Sequence, residues 1–195
     1  MVTNSFSEKV INWYELHGRH DLQWRKAITP YRIWISEIML QQTQVVTVKP
    51  YFKKFIKKYP TLKSIQDASE DEILTLWSGL GFYKRARNIF QTKEIIHSEY
   101  KGRFPKTFEE IIKLPGIGKS TAGAIMSIAH QIPTPILDGN VKRILQRYFS
   151  DGKNIFSEKE LWDLSLSVSN ATNSNLFTQG IMDIGATVCL SLIHI

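Results

Sequence analysis

Apolar residues recur every three or four positions along most of the chain, and this spacing predicts amphipathic helices. Near the N-terminus the spacing joins Phe6, Val10, Trp13 and Tyr14. Runs that alternate apolar and polar residues, as a half-buried strand does, are nearly absent. The pattern predicts an all-α protein of about ten short helices that pack on one another. The other segments with helical spacing are residues 30–46, 84–98, 119–130, 140–149, 158–168 and 174–189.

Proline and capping residues indicate where these helices begin and end. We expect Pro30 to start a helix, because its ring suits the first turn. Pro50 and Pro60 are predicted to bound the segment PYFKKFIKKYP. Three Ser/Thr residues followed three positions later by Glu predict further helix starts. These pairs are Ser69 with Glu72, Thr107 with Glu110, and Ser157 with Glu160.

Composition limits the class of protein and its partners. The 195 residues are 43% hydrophobic, which allows a core in one domain or in two small lobes. Lys and Arg number 25 against 18 Asp and Glu, and the net charge of +7 favours a polyanionic partner. No apolar run approaches a membrane span, and the polar N-terminus lacks a secretory signal, so we expect a cytoplasmic protein. A single cysteine excludes an internal disulfide framework.

The segment LPGIGKSTAGAI, residues 114–125, contains a glycine turn that could bind phosphate. A nucleotide-binding P-loop requires G-x-x-x-x-G-K-[ST] after a strand, but position 113 is Lys and the preceding FEEIIKL has a helical pattern. A helix–hairpin–helix fits better, because Gly116 and Gly118 permit a tight turn before a helix whose N-terminal amides, with Lys119, would bind a DNA phosphate. An ordinary glycine-containing helix turn remains the alternative for LPGIG alone.

Two carboxylates stand at positions that suggest chemistry. Glu37 interrupts the apolar helix pattern of residues 30–45, and an interior carboxylate is costly unless it is paired or used. Asp138 follows the proline-rich segment IPTPIL and precedes a predicted helix. A partly exposed helical Glu and a capping Asp are the structural explanations, and both stay open at this point.

Four separated motifs resemble one family in order and spacing. WxSExMLQQTxV, WSGLGFYKRARN, LPGIGKSTAGAI and ILDGNVKR are similar to those of the MutY-type adenine DNA glycosylases, within the helix–hairpin–helix Gly/Pro–Asp superfamily. The resemblance runs from about residue 6 to Cys189. It implies a base-excision-repair enzyme that extrudes adenine mispaired with 8-oxoguanine or guanine from duplex DNA and hydrolyses its N-glycosidic bond. It also implies that the protein acts as a monomer away from membranes.

The resemblance assigns three catalytic residues. Glu37 would protonate adenine and activate water, since apolar surroundings favour a protonated carboxyl. Asp138 would stay ionised among polar neighbours and stabilise the oxocarbenium-like sugar, as in two-carboxylate glycoside hydrolysis. Asn140 would support the two carboxylates.

The resemblance also assigns DNA contacts. Gln42 and the LGFY turn match residues that fill the gap left by the extruded base. Phe82 stands where the family usually has Tyr, and Gln23 replaces the usual Pro, so recognition of the damaged base is expected to differ slightly. Trp24 and Ser120 are assigned to the base pocket. The implied DNA-binding residues are Arg25, Gln42, Leu80, Phe82, Tyr83, Gly116, Gly118, Lys119, Ser120, Thr121, Lys142 and Arg143.

Position 120 separates two chemistries within the superfamily. Relatives of the endonuclease III type carry a Lys directly before the hairpin Thr, and that Lys forms a Schiff base and cleaves the strand. Here Ser120 precedes Thr121, which favours a monofunctional hydrolase. The alternatives are a glycosylase with lyase activity against oxidised pyrimidines and a non-catalytic helix–hairpin–helix DNA-binding module.

The resemblance implies two helical lobes with the DNA cleft between them. Residues 26–131 would form a six-helix lobe with the hairpin, and residues 1–25 with 132–195 would form the second lobe. A [4Fe–4S] cluster held by four cysteines is also implied, with Cys189 as its first ligand and the second due at position 196. One thiolate cannot hold four irons, so we expect a truncated form that also lacks the 8-oxoguanine-recognition domain. A natural cluster-less variant is the alternative.

Overall fold

The computed structural model describes residues 2–150, 152 and 155–190. Every regular element in these residues is an α-helix, which confirms the predicted all-α class. None of the described helices is long and apolar enough to cross a membrane. The helices are α1 (Val2–His17), α2 (Gln23–Lys26), α3 (Pro30–Leu40), α4 (Val45–Lys58), α5 (Leu62–Ile65), α6 (Glu70–Trp77), α7 (Lys84–Glu99), α8 (Phe108–Ile111), α9 (Lys119–Ala129), α10 (Gly139–Phe149), α11 (Glu158–Ser169) and α12 (Ser174–Thr187).

The chain divides into two compact units. One unit contains Asp21–Ala122 and therefore α2–α8 with the first turn of α9. The other contains the chain up to His20 and from Gly123 onward, with α1 and α10–α12. The observed division falls inside the continuous helix α9, whereas the lobe was predicted to span residues 26–131. That these units are the two lobes of a DNA clamp stays a prediction.

The 21–122 unit is built around four packed helices, α3, α4, α6 and α7. Trp34, Phe52, Phe55 and Trp77 are completely buried in it. Large aromatic side chains bury more apolar area than any others, so these four residues contribute strongly to the stability of this unit.

The other unit packs α1 against α12 and α11, and α10 against the same two helices. Phe6, Val10 and Phe177 are buried in its core. Asp183 is completely buried and accepts hydrogen bonds from the backbone N–H of Arg19, at 2.9 Å, and from its Nε, at 2.8 Å. A buried carboxylate is tolerated only with such partners, so this ion pair fixes the segment after α1 onto α12.

All three predicted capping boxes are present at the starts of α6, α8 and α11. A fourth box, which the sequence prediction missed because its second residue is Ser rather than Glu, joins Thr61 and Ser64 at α5.

Two predicted boundaries are wrong. The helix predicted over residues 30–46 ends at Leu40, because Gln42 adopts a left-handed φ of 54° that no α-helix allows. Pro50 was predicted to bound the segment PYFKKFIKKYP but lies inside α4. It removes one backbone hydrogen bond from this helix, and the burial of Val48, Phe52 and Phe55 on one face compensates.

Candidate active site

Helix α3 positions Glu37. Pro30 occupies its first turn, and the Thr29 hydroxyl caps it by accepting from the Arg32 N–H at 3.2 Å. Ser36 and Ile38 on either side of Glu37 are completely or almost completely buried, whereas Glu37 is half-buried. Its carboxyl group is therefore partly shielded from water while remaining accessible to a molecule at the surface of this unit.

Two turns of the 21–122 unit expose the side chains that were predicted to enter DNA. Gln42 is exposed in the turn after α3, and Phe82, with a φ of 50°, is 57% exposed in the turn between α6 and α7. Tyr83 is also exposed, and its hydroxyl accepts from the Gly79 N–H at 3.4 Å. Leu80 is only 5% exposed, so Phe82 and Tyr83 are the members of the LGFY turn that this surface presents.

The predicted hairpin lies between α8 and α9. Leu114 and Ile117 are buried and anchor its two ends. Gly116 has a φ of 77°, and an added Cβ would lie 2.5 Å from Asn88 Nδ2. A Cβ at Gly118 would meet nothing within 4 Å. The glycine turn is thus tightly packed at its first glycine and open at its second, beside the N-terminus of α9, where helix amides favour an anion.

The remaining predicted contacts of this unit have different environments. Lys119 is exposed, whereas Ser120 and Thr121 are half-buried in the first turn of α9. Trp24 is 4% exposed and packs edge-on against Phe52 at 5.2 Å between ring centroids. Its indole therefore belongs to the core in this structure. Arg25, the next residue, is half-buried.

In the other unit, Asp138 caps α10. Its Oδ1 accepts from the Val141 N–H at 2.8 Å, so the capping explanation is correct. Burial raises the pKa of the Asp138 carboxyl, while the Val141 and Asn140 amides and the Arg143 charge act in the opposite direction. The predicted polar neighbours are present, but burial outweighs them and the pKa lies above its ordinary value.

Arg143 holds α10 to the end of α12. Its Nη2 donates to Asn140 Oδ1 at 2.9 Å and to the Gly185 carbonyl at 2.6 Å, and its Nε donates to the Cys189 carbonyl at 2.7 Å. This guanidinium was predicted to contact phosphate, but here its donors serve mainly to fix Asn140 and the end of α12. The neighbouring Lys142 is half-buried and forms a 3.4 Å ion pair with Glu158.

Cys189, the predicted ligand of a [4Fe–4S] cluster, lacks the further ligands that such a cluster needs among the described residues. The Cys189 sulfur accepts from Arg147 Nη1 at 3.3 Å. No group of three or more His, Cys, Asp or Glu within the described part of the chain could hold a metal ion. Because the sequence contains one cysteine, these residues do not fit a four-thiolate [4Fe–4S] site.

Two residues of the candidate site were missed by the sequence analysis. Arg85 is buried and donates hydrogen bonds to a backbone carbonyl in each of the two exposed turns. Gln41 donates a hydrogen bond to the Gly116 carbonyl in the glycine turn. Arg85 lies within the quoted motif WSGLGFYKRARN beside a second arginine, Arg87. Only the helical phase that the fold imposes shows which of the two points inward.

A family model confirms the class of protein that this fold indicates. Residues 35–165 match the model described as "HhH-GPD superfamily base excision DNA repair protein". The match covers more than half of the chain, and the chain belongs to this superfamily. The matched range contains Glu37, the glycine turn and Asp138.

Curated relatives narrow the likeness further. The chain is 53% identical over 190 residues to the adenine DNA glycosylase of Buchnera aphidicola subsp. Acyrthosiphon pisum, covering 96% of this chain and 54% of the relative. It is 38% identical to the human adenine DNA glycosylase, covering 95% of this chain and 36% of that protein. The chain thus spans about half the length, or less, of these relatives.

Solved structures share the fold. A thermostable thymine-DNA glycosylase superposes with a TM-score of 0.87 at 28% identity, covering 97% of this chain and 88% of its own. A trapped covalent intermediate of endonuclease III with DNA, in an estranged-adenine complex, gives a TM-score of 0.78 at 21% identity, covering 95% of this chain and 85% of its own. The second likeness concerns the fold alone.

Proposed function

We propose that the protein is a monofunctional adenine DNA glycosylase that hydrolyses the N-glycosidic bond of adenine opposite 8-oxoguanine or guanine in duplex DNA. The observation that carries the proposal is the 53% identity to an adenine DNA glycosylase over 96% of the chain. The two carboxylates and the glycine turn support it, because they are suited to act as an acid, a cation stabiliser and a phosphate contact.

Glu37 is the proposed acid. Adenine leaves poorly as an anion, so a ring nitrogen must take a proton as the C–N bond breaks and its electron pair moves to the base. The half-buried position of Glu37 on a helix whose residues are mostly buried suits a group that delivers this proton. The same carboxylate then takes a proton from the water that adds to the sugar.

Asp138 is the proposed stabiliser of the sugar cation. Its ionised carboxylate would lie beside the developing positive charge on the sugar. The Val141 N–H bond fixes one oxygen, and Asn140, held by Arg143, is the proposed support of this carboxylate. This role requires a negative charge at the working pH, which is what the amides and Arg143 favour.

The exposed turns are the proposed DNA-binding surface. Gln42, Phe82 and Tyr83 would fill the gap opposite the extruded adenine, because exposed aromatic and amide side chains can stack on and bond to bases. The N-terminus of α9, with Gly118 and Lys119, would contact a phosphate. Family likeness alone supports the proposed roles of two residues, Trp24 and Ser120, in the base pocket. It alone also supports the proposed DNA-binding roles of Arg25, Leu80, Gly116, Ser120, Thr121, Lys142 and Arg143.

The test is a cleavage assay on a duplex with adenine opposite 8-oxoguanine, followed by alkali. Glu37→Gln and Asp138→Asn should each abolish adenine release while leaving DNA binding largely intact, because both keep the side-chain shape and remove the ionisable carboxyl group. Asp163→Asn, an exposed carboxylate on α11, is the matched control and should release adenine like the wild type. Loss of binding in step with activity would refute the assigned roles.

Two other functions give different outcomes in the same assay. A lyase would form a Schiff base that borohydride traps on DNA, and Ser120 in place of a lysine predicts no trapping. A non-catalytic module would bind DNA in a salt-sensitive manner and release no base. Trapping, or binding without release, would therefore identify the alternative.

A further inference from the structure

Arg85 is a buried arginine that caps the C-terminus of α3. It is 6% exposed, and its Nη1 donates to the carbonyls of Ile38, at 3.2 Å, and Met39, at 2.7 Å. The last carbonyls of a helix lack intrahelical donors. Arg85, which lies in α7, therefore supplies the missing donor for terminal carbonyls of α3, a helix that ends more than forty residues earlier in the chain.

The same guanidinium connects the two turns that expose Gln42 and Phe82. Nη1 also donates to the Gln41 carbonyl at 2.5 Å, in the turn of residues 41–44. Nη2 donates to the Gly81 carbonyl at 3.3 Å, and the guanidinium carbon lies 5.1 Å from the centroid of the Phe82 ring. One cation thus holds both turns at their backbones.

Gln41 connects the first of these turns to the glycine turn. Its Nε2 donates to the Gly116 carbonyl at 3.1 Å and to Thr121 Oγ1 at 3.5 Å. All three turns belong to the 21–122 unit. Two side chains that touch no base or phosphate in the proposed function therefore join every turn of this unit that the proposal places against DNA.

Such bonding explains how bulky side chains keep an unfavourable backbone conformation. Gln42 and Phe82 have φ values of 54° and 50°, which cost free energy for residues with a Cβ and persist only when neighbouring groups hold them. Gln131 and Lys101 also have positive φ, so the left-handed conformation by itself does not mark a site. It is the shared Arg85 bonds that distinguish the two turns.

We propose that Arg85, together with Gln41, is a positioning residue that holds the Gln42 and Phe82 turns in the geometry required to extrude adenine. The proposal rests on the proposed function. Lysine cannot replace Arg85, because its ammonium is a point donor without the planar fork that reaches separate carbonyls. A displacement of about 1 Å in such turns is expected to slow the reaction by about 100-fold.

The test compares Arg85→Lys with Arg87→Lys, which makes the same substitution two residues away at an exposed position. The probe is a duplex with 2-aminopurine opposite 8-oxoguanine, since its fluorescence rises when the base leaves the stack. Arg85→Lys should fold and bind a fully paired duplex like the wild type. Its fluorescence rise should be lost and its single-turnover adenine release slowed by about 100-fold, whereas Arg87→Lys should match the wild type.

Several results would overturn the proposal. One such result is a folded Arg85→Lys protein that extrudes and releases the base normally. Another is an Arg85→Lys protein that loses binding to the paired duplex in proportion to its loss of extrusion. If Arg85→Lys does not fold, Gln41→Met decides, because Gln41 is half-buried and its replacement removes only the two hydrogen bonds to Gly116 and Thr121. Normal extrusion by Gln41→Met would then refute the proposal that extrusion depends on the joined turns.

Failure of the proposed function is distinguishable from failure of this inference. A wild-type chain that gives the fluorescence rise but releases no adenine would refute glycosylase activity and leave the positioning comparison valid. A wild-type chain that releases adenine while Arg85→Lys extrudes normally would refute the positioning role alone.

Discussion

Asp138 caps α10 and is also the proposed cation stabiliser, and these two roles have conflicting requirements. As the cap of α10 it must be enclosed near the backbone amides, and this burial raises the pKa of its carboxyl. As the proposed stabiliser of a cation it must be ionised. The Val141 and Asn140 amides and the Arg143 charge act against the effect of burial on this pKa and favour the ionised carboxylate that the proposed role requires.

The raised pKa of Asp138 predicts a pH dependence. A carboxyl with a folded-state pKa above its unfolded value of 3.8 contributes stability below 3.8 that is lost as the pH rises through the folded pKa. Asp138→Asn cannot ionise, so its thermal stability relative to the wild type should increase as the pH rises above about 4. Thermal melts across this range measure the difference, and a constant difference would contradict the effect of burial.

Asp138→Ala is the companion variant for the capping role. It should show the same pH trend but unfold more easily than Asp138→Asn by about 0.5–2 kcal/mol, because alanine cannot accept from the Val141 N–H. Both variants should be inactive. Equal stability of the two would show that the cap contributes little.

Phe82 is expected to affect binding rather than stability. Its ring is 57% exposed, so Phe82→Ala should change the free energy of unfolding by no more than about 0.5 kcal/mol. Loss of an aromatic stacking surface should weaken binding to the mispaired duplex by about 1–3 kcal/mol. Titration of labelled duplex measures this, and Leu166→Ala on α11, also an exposed apolar residue, should leave affinity unchanged.

At the scale of elements, the helix–hairpin–helix shows how two glycines of one motif have different physical roles. Gly116→Ala should destabilise the fold by about 1–3 kcal/mol, because its φ of 77° is unfavourable for alanine and the new Cβ would meet Asn88. Gly118→Ala should leave the fold intact, since its Cβ would meet nothing within 4 Å. Chemical denaturation of both variants measures the contrast.

DNA affinity should distinguish Gly116→Ala from Gly118→Ala in the opposite order, with the larger effect at Gly118. The Cβ of Gly118→Ala would fill the open space beside the α9 N-terminus where a phosphate is proposed to lie, so this folded variant should bind duplex DNA less tightly. Unchanged affinity would place the phosphate contact elsewhere.

Helices were easier to predict than their ends. The capping boxes at α6, α8 and α11 were predicted because a cap depends on residues three positions apart. The end of α3 at Leu40 was not, because Arg85, far along the chain, satisfies its final carbonyls and permits the turn at Gln42. Local sequence does not encode a cap that a distant element supplies.

At the scale of the whole molecule, the net charge of +7 makes binding to a polyanion dependent on salt. Each phosphate contact releases counterions, so the slope of log affinity against log salt reports the number of contacts. Lys119→Ala should lower the magnitude of this slope by about 0.9 if Lys119 neutralises one phosphate. Lys159→Ala, an exposed lysine on α11, is the control, and an equal change in both variants would indicate only a general charge effect.

The sequence by itself determined the class of fold and the family, and it supplied the two carboxylates as candidates. Apolar spacing specifies helices because it reflects which face is buried, and motifs such as LPGIGKSTAGAI combine turn, charge and helix start within a few residues. These signals are local and can therefore be read along the chain.

Only the tertiary structure decided how the candidate residues are held. It raised the pKa of Asp138 through burial, used Arg143 to bind Asn140, and placed Arg85 rather than Arg87 in the interior. Desolvation and hydrogen bonds between distant segments depend on which surfaces meet when the helices pack. No spacing within a single segment carries that information.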